Sequence, residues 1–252
     1  MTDYSQNSSV PEPKKIIQLS DLTFTYKKAD APTLDIPSWS VEKNSTVFLY
    51  GPSGSGKSTL LNILGGLLVP QKGEVTILDT CINKMRGSKR DKFRAQHIGM
   101  IFQQFNLIPW LSVKENILAA QYFSGKSHNN QNITKTIYKL LEALNLSQTL
   151  IDKKTEELSI GQQQRVAIAR ALINQPEIII ADEPTSSLDT DARDNFMSLL
   201  FNVTESIGST LIFVSHDKGL SSFFNKTVDL TSINKAAKLA KNLETAEANN
   251  AA

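Results

Sequence analysis

Two short strings in this 252-residue chain carry residue types that can do chemistry at close quarters. The first is Gly51-Pro52-Ser53-Gly54-Ser55-Gly56-Lys57-Ser58-Thr59, placed directly after an apolar run and directly before a helix-like one. Its glycines let successive backbone N–H groups turn inward around phosphate oxygens, and the positive end of the following helix adds its dipole. Lys57 then neutralises β- and γ-phosphate charge, and the Ser58 hydroxyl can ligate Mg²⁺. The second string, Ile178-Ile179-Ile180-Ala181-Asp182-Glu183, delivers adjacent carboxylates at the end of an apolar strand. Parallel α/β sheets hold their ligands at that edge. Asp182 there can hold Mg²⁺ through water, and Glu183 can polarise an attacking water as general base. Taken alone, an Asp-Glu pair after a strand is more often a helix start or a solvated turn.

The elements needed to hold these strings are legible around them. Thr46 to Tyr50, Val75 to Leu78, Ile98 to Phe102, Ile178 to Ala181 and Thr210 to Ser215 read as strands, and their near-continuous apolar character predicts a sheet covered on both faces. Lys57 to Leu68 and Ser159 to Asn174 read as helices. Between the strand ending at Phe102 and the helix near Ser159, the stretches Val113 to Phe123 and Thr134 to Leu144 have helical periodicity and no strong strand, which predicts an inserted helical subdomain over about residues 104–160. The expected layout is a polar arm over residues 1–15, a catalytic domain over 16–235 and a polar tail over 236–252.

Composition narrows the class further. A net charge of +2 makes no electrostatic case for nucleic acid, and 40% hydrophobic with 21% charged residues is ordinary for a globular protein. The single cysteine, Cys81, cannot form an internal disulfide and favours a reducing compartment, with packing as its role. No apolar run approaches the roughly 20 residues of a bilayer span, so any membrane role is expected to be peripheral. The basic stretch Lys84, Arg86, Lys89, Arg90, Lys92 and Arg94 reads as a solvated helix face, with anionic headgroups as the alternative partner. His97 and His128 read as surface residues.

A third string, Leu158-Ser159-Ile160-Gly161-Gln162-Gln163-Gln164-Arg165, resembles the LSGGQ signature of ATP-binding cassette (ABC) ATPases. The resemblance extends in order from about Leu19 to Asn225. It implies a P-loop NTPase (RecA-like) α/β core with an antiparallel β subdomain and the inserted α-helical subdomain, ATP and Mg²⁺ as cofactors, and a pair of cassettes facing head to tail. Ser159, Gly161 and Gln162 would then reach the γ-phosphate held by the opposite cassette. Ser159 is also a good helix cap on its own account. Tyr26 matches the aromatic that stacks on adenine, with an exposed or core tyrosine as the plain alternative. Gln103, or its neighbour Gln104, matches the glutamine that contacts Mg²⁺ or the attacking water. Ser186-Ser187-Leu188-Asp189 is similar to the loop that couples the two sites, or is a simple turn and helix cap. His216 matches the switch histidine at the γ-phosphate. The departure from the signature is Ile160, where the family has glycine; a required positive φ would strain a β-branched residue there, whereas ordinary backbone would leave its N–H correctly aimed.

Gln103 to Pro109, followed by Ser112-Val113-Lys114-Glu115-Asn116, is similar to the branch that includes the lipoprotein-release, macrolide-export and FtsE cell-division ATPases. That resemblance implies a separate permease with few membrane segments and a large periplasmic domain, docking near Phe105 to Val113, and a place on the cytoplasmic face of the inner membrane. Trp110 and Leu111 are either part of that docking surface or packing within the helical subdomain. Two other readings stay open: a soluble ABC ATPase without a transport partner, and a regulatory cassette with weak hydrolysis.

Overall fold

The computed structural model describes residues 13–125, 130–186 and 188–239. His128, Ser187 and most of the polar arm and tail lie outside these residues. The chain opens with β1 (Lys15–Phe24), β2 (Leu34–Glu42) and β3 (Thr46–Tyr50), followed by α1 (Lys57–Leu64), β4 (Lys72–Ile77) and β5 (Thr80–Cys81). Then come α2 (Gly87–His97), β6 (Ile98–Phe102), and the helices α3 (Val113–Ser124), α4 (Asn130–Ala143) and α5 (Ile160–Leu172). The last part holds β7 (Ile178–Asp182), α6 (Thr190–Ser206), β8 (Thr210–Val214), β9 (Lys226–Asp229) and α7 (Leu230–Ile233).

The strands form an antiparallel sheet in the order β2-β1-β4-β5 and a sheet in the order β6-β7-β8-β3-β9, parallel at each pairing. Alternation along each parallel strand feeds two separate cores. Ile178, Ile180, Ile212, Val214, Val47 and Leu49 face α1 and the antiparallel sheet. Ile179, Ala181, Leu211, Phe213 and Phe48 face the layer built from α3, α4, α5 and α6. Burial on both faces is what makes these strands read as continuous apolar runs.

Register decides where the chemistry sits. Phe102 pairs with Asp182, Asp182 with Val214, and Val214 with Leu49. Four strands therefore end at one level, and the residues that follow each of them emerge along a single edge.

Several boundaries differ from the sequence expectation: α4 begins at Asn130 rather than Thr134, and α5 ends at Leu172 rather than Asn174. The first helix stops at Leu64 rather than Leu68, because Gly65 ends it and Gly66 turns the chain at φ 67°. The strand expected over Val75 to Leu78 begins earlier, at Lys72, and stops at Ile77, since Leu78 and Asp79 take left-handed backbone. The basic stretch is a solvated face as expected at Lys84, Arg86, Lys89 and Lys92, all exposed, while Arg90 and Arg94 are half-buried. Arg90 donates to the carbonyls of Gly66 and Met85, Arg94 pairs with Asp91, and Lys84 pairs with Glu74. His97 likewise is no bare surface residue: it is half-buried, with Nδ1 3.0 Å from a Glu177 carboxylate oxygen.

Candidate functional site

The loop from Gly51 to Gly56 connects β3 to the N-terminus of α1, and Gly56 caps that helix in left-handed backbone at φ 98°. A side chain there is excluded twice over, since a Cβ would lie 2.7 Å from Leu34 Cδ2 and 3.1 Å from the Thr33 carbonyl oxygen. Gly54 is also left-handed, at φ 77°. Pro52 and Ser53 form the exposed tip, while Ser55 and Thr59 turn inward and are buried. Lys57 folds along the loop, donating from Nζ to the carbonyls of Gly51 and Pro52 at 2.8 and 3.0 Å. A basic nitrogen, a helix N-terminus and left-handed glycines thus share one concave turn, the arrangement that binds phosphate.

Asp182 ends β7 beside this turn, with Ser58 and Lys57 close enough to favour its ionised form. Burial raises its pKa above the usual carboxylate range, the neighbouring Glu183 charge raises it further, and Ser58 and Lys57 pull it back in part. A carboxylate that is costly to ionise, paired with a hydroxyl, is a hard-oxygen donor set. It suits Mg²⁺, whose remaining positions would go to phosphate oxygens and water.

Glu183 is the next residue. Its backbone sits at φ 46°, and its N–H donates to the Val214 carbonyl at 2.9 Å, which locks the turn onto the end of β8. Glu183 Oε2 lies 2.9 Å from His216 Nδ1. The equal strand ends described above bring these two residues together across the sequence. Gln103 and Gln104 leave the same edge after Phe102, both exposed. Tyr26 is 46% exposed and stands edge-on to Phe24, and its hydroxyl lies 3.2 Å from Thr59 Oγ1 on α1. One ring face is held near the phosphate loop without being buried.

Ser159 caps α5. Its hydroxyl accepts from the Gln162 N–H at 3.3 Å, and the Gln162 side-chain oxygen accepts from the Ser159 N–H at 3.0 Å, a reciprocal capping box. Ile160 opens the helix, 64% exposed and absent from the positive-φ positions, so the β-branched residue is unstrained. Gly161 has open space where a side chain would be. The contacts of this helix start are with the Thr155–Leu158 turn, to which Gln163 donates twice, and its exposed tip is free to meet a second chain. Asp189 caps α6 by accepting from the Ala192 N–H at 2.8 Å, so the turn-and-cap reading of that loop is present in the structure.

Several positioning contacts carried no sequence signal. Gln164, buried, donates to the Pro184 carbonyl at 3.1 Å and joins α5 to the turn after Glu183. Arg170 donates to the carbonyls of Phe105 and Asn106, two residues with left-handed backbone after β6. Arg193 of α6 pairs with Asp217 at 3.0 Å, just beyond His216. These are backbone carbonyls or residues far apart in sequence, and no spacing rule marks them.

A family model described as "ABC transporter" matches residues 34–186, more than half of the chain. This chain belongs to the ABC transporter ATP-binding family. An ATP-binding cassette of Methanocaldococcus jannaschii, MJ0796, is 38% identical over 218 residues, covering 85% of this chain and 93% of that protein. One chain of its solved dimer, described as a post-hydrolysis state bound to ADP and Pi, matches with a TM-score of 0.76 over 84% of this chain and 93% of that one. The lipoprotein-releasing ATP-binding protein LolD of Bacteroides thetaiotaomicron is 37% identical over 190 residues, covering 75% of this chain and 86% of LolD. The macrolide export ATP-binding/permease protein MacB of Campylobacter jejuni is 40% identical over 193 residues; they cover 77% of this chain and only 30% of MacB. The cassette is thus of the LolD- and MacB-like branch, with the family's paired antiparallel and parallel sheets.

Proposed function

We propose that this cassette is the ATP-hydrolysing subunit of an ABC transporter or mechanotransmission complex, in which two copies sandwich two ATP molecules and drive a separate permease. The observation that carries the proposal is the 2.9 Å contact between Glu183 and His216, next to Asp182 and on the sheet edge where the glycine-rich loop after β3 also opens.

In this reading Tyr26 packs on adenine, the loop N–H groups and Lys57 hold the β- and γ-phosphates, and Ser58 and Asp182, with Gln103, hold Mg²⁺. Bound there, Mg²⁺ would screen charge on the phosphate oxygens as the terminal bond breaks. Glu183 takes a proton from water as its oxygen bonds to the γ-phosphorus, and the leaving oxygen departs with ADP. His216 fixes the Glu183 carboxylate and reaches the γ-phosphate with its exposed ring. Ser159, Gly161 and Gln162 act on the nucleotide of the other copy through the exposed N-terminus of α5.

Support for a membrane partner lies in a groove of about 690 Å³ between α2, β6 and α3, lined by Leu67, Met100, Phe102, Ile108 and Phe123 with Arg170 at its inner side. Trp110, 68% exposed, stands near Ile108 in sequence, whereas Phe105 and Val113 are buried and point away from docking. We assign the groove and the Asn106–Trp110 segment to a short helix of a permease with few membrane segments and a large periplasmic domain. The cassette then sits peripherally on the cytoplasmic face of the inner membrane. No described helix is long and apolar enough to cross a membrane.

A regulatory cassette with weak hydrolysis is disfavoured by the joined Glu183 and His216 and by the unstrained backbone at Ile160. Steady-state phosphate release from the purified chain, with an affinity pull-down from detergent-solubilised membranes, tests the proposal. ATP-dependent release and recovery of an integral membrane protein are expected; a chain that binds ATP and recovers no such protein would point to the soluble reading.

A further inference from the structure

Asn234 follows α7, far outside the segment that the family pattern matches and distant in sequence from every catalytic string. Its side chain has 0% exposure. The carboxamide oxygen accepts from the Asp35 N–H at 2.8 Å, and the nitrogen donates at 3.0 Å to both the Thr33 and the Ser55 carbonyls. Both N–H groups and the oxygen are used, so the orientation of the amide is fixed. One side chain thus ties the C-terminal segment to the start of β2 and to the phosphate loop.

The bond to Ser55 has a geometric consequence. The peptide joining Ser55 to Gly56 is planar and trans, so its N–H points opposite to its C=O. Holding the Ser55 oxygen on the buried side aims the Gly56 N–H towards the concave side of the loop. The Ser55 hydroxyl does not share this work, being buried without a hydrogen-bond partner. Leu230 closes the floor of the same region, 3.4 Å from where a Cβ on Gly51 would stand, and the excluded side chain at Gly56 would meet Leu34, Thr33 and Asn234 together.

We infer that Asn234 is a positioning residue for nucleotide binding, acting through the Ser55–Gly56 peptide; this rests on the proposed ATP site. It fixes a donor that ground and transition states use alike, so its loss lowers affinity without slowing the bound reaction.

The test is titration of a fluorescent ATP analogue, with steady-state kinetics, on the full chain and on Asn234→Ala and Asn234→Asp, at a temperature where circular dichroism shows each folded. Asn234→Asp keeps the acceptor for Asp35 and loses both donors. Asn116→Ala is the control, because Asn116 is an equally buried amide that donates to the Ile108, Leu111 and Ser112 carbonyls in the helical layer. Both Asn234 variants are expected to bind about tenfold more weakly, with kcat at saturating ATP within about twofold of wild type and Asn116→Ala unchanged in affinity. Wild-type affinity in either folded Asn234 variant, an equal loss in Asn116→Ala, or failure of both Asn234 variants to fold overturns the assignment. A wild-type chain that binds no analogue overturns the proposed function itself, and is a separate result.

Discussion

The Gln164 side chain and the Pro184 carbonyl meet in a buried hydrogen bond of 3.1 Å, so the helix that begins at Ser159 is fastened to the turn leaving Glu183. A load on the exposed start of α5 therefore reaches the turn after Glu183, the proposed base, through this amide. Gln164→Leu keeps the bulk and removes the donor. Its stability to urea should fall by about 1–2 kcal/mol, and kcat should drop several-fold while the KM for ATP stays put. A matched loss in both constants would make the contact merely structural.

Replacing Glu183 with Gln keeps the size of the side chain and removes its basicity. Turnover should fall on the order of 100-fold or more, and ATP-bound dimer should accumulate in light scattering because the binding groups are untouched. His216→Ala leaves the carboxylate unoriented, and a smaller loss of kcat with near-normal nucleotide affinity is expected. Retained turnover in Glu183→Gln would remove that residue from the base role.

Asp182 has a folded pKa above its unfolded one, chiefly through burial. Its contribution to stability is therefore fully present below the unfolded pKa and fades as pH rises through the raised folded value. Wherever it is ionised, the group is a cost to the nucleotide-free chain. Asp182→Asn should raise the Tm of that chain by on the order of 2–4 °C while abolishing the further rise produced by Mg²⁺ with ATP. A variant less stable than wild type in the absence of nucleotide would contradict the burial argument.

Ile160 starts α5 with ordinary backbone and an outward side chain. Ile160→Gly should leave turnover within about twofold and cost no more than about 1 kcal/mol of stability. A large gain in turnover or in ATP-driven dimerisation would mean that the isoleucine obstructs the partner.

Much of the proposed site was readable because its residues are consecutive: Gly51 to Thr59 form one glycine-rich turn into α1, and Asp182 and Glu183 stand at the end of one strand. Four of the parallel strands, β3, β6, β7 and β8, were readable because both of their faces are buried, whereas the short, half-exposed β9 carries no such run and was missed. Gly65 and Gly66 could have shortened the first helix at the sequence level, since paired glycines mark a stop. The β1–β2 ribbon was foreseen only through family resemblance, because its alternation is weak: Pro37, Ser38 and Ser40 interrupt the apolar pattern of β2. The contacts of Gln164, Arg170 and Asn234 were illegible because each ends on a backbone carbonyl, which every residue type carries alike. The partners of Gln164 and Arg170 become defined only once β6 and β7 are in place, and those of Asn234 only once β2 and the loop after β3 are.

Lys57 already has oxygen partners, the carbonyls of Gly51 and Pro52. An arriving phosphate therefore exchanges with two neutral acceptors and need not strip a bare ammonium of water. In the proposed cycle, entry and departure become a handover between sets of oxygens, and departing ADP returns the lysine to its own loop. Such a socket would reset itself, with two carbonyl groups setting part of the timing.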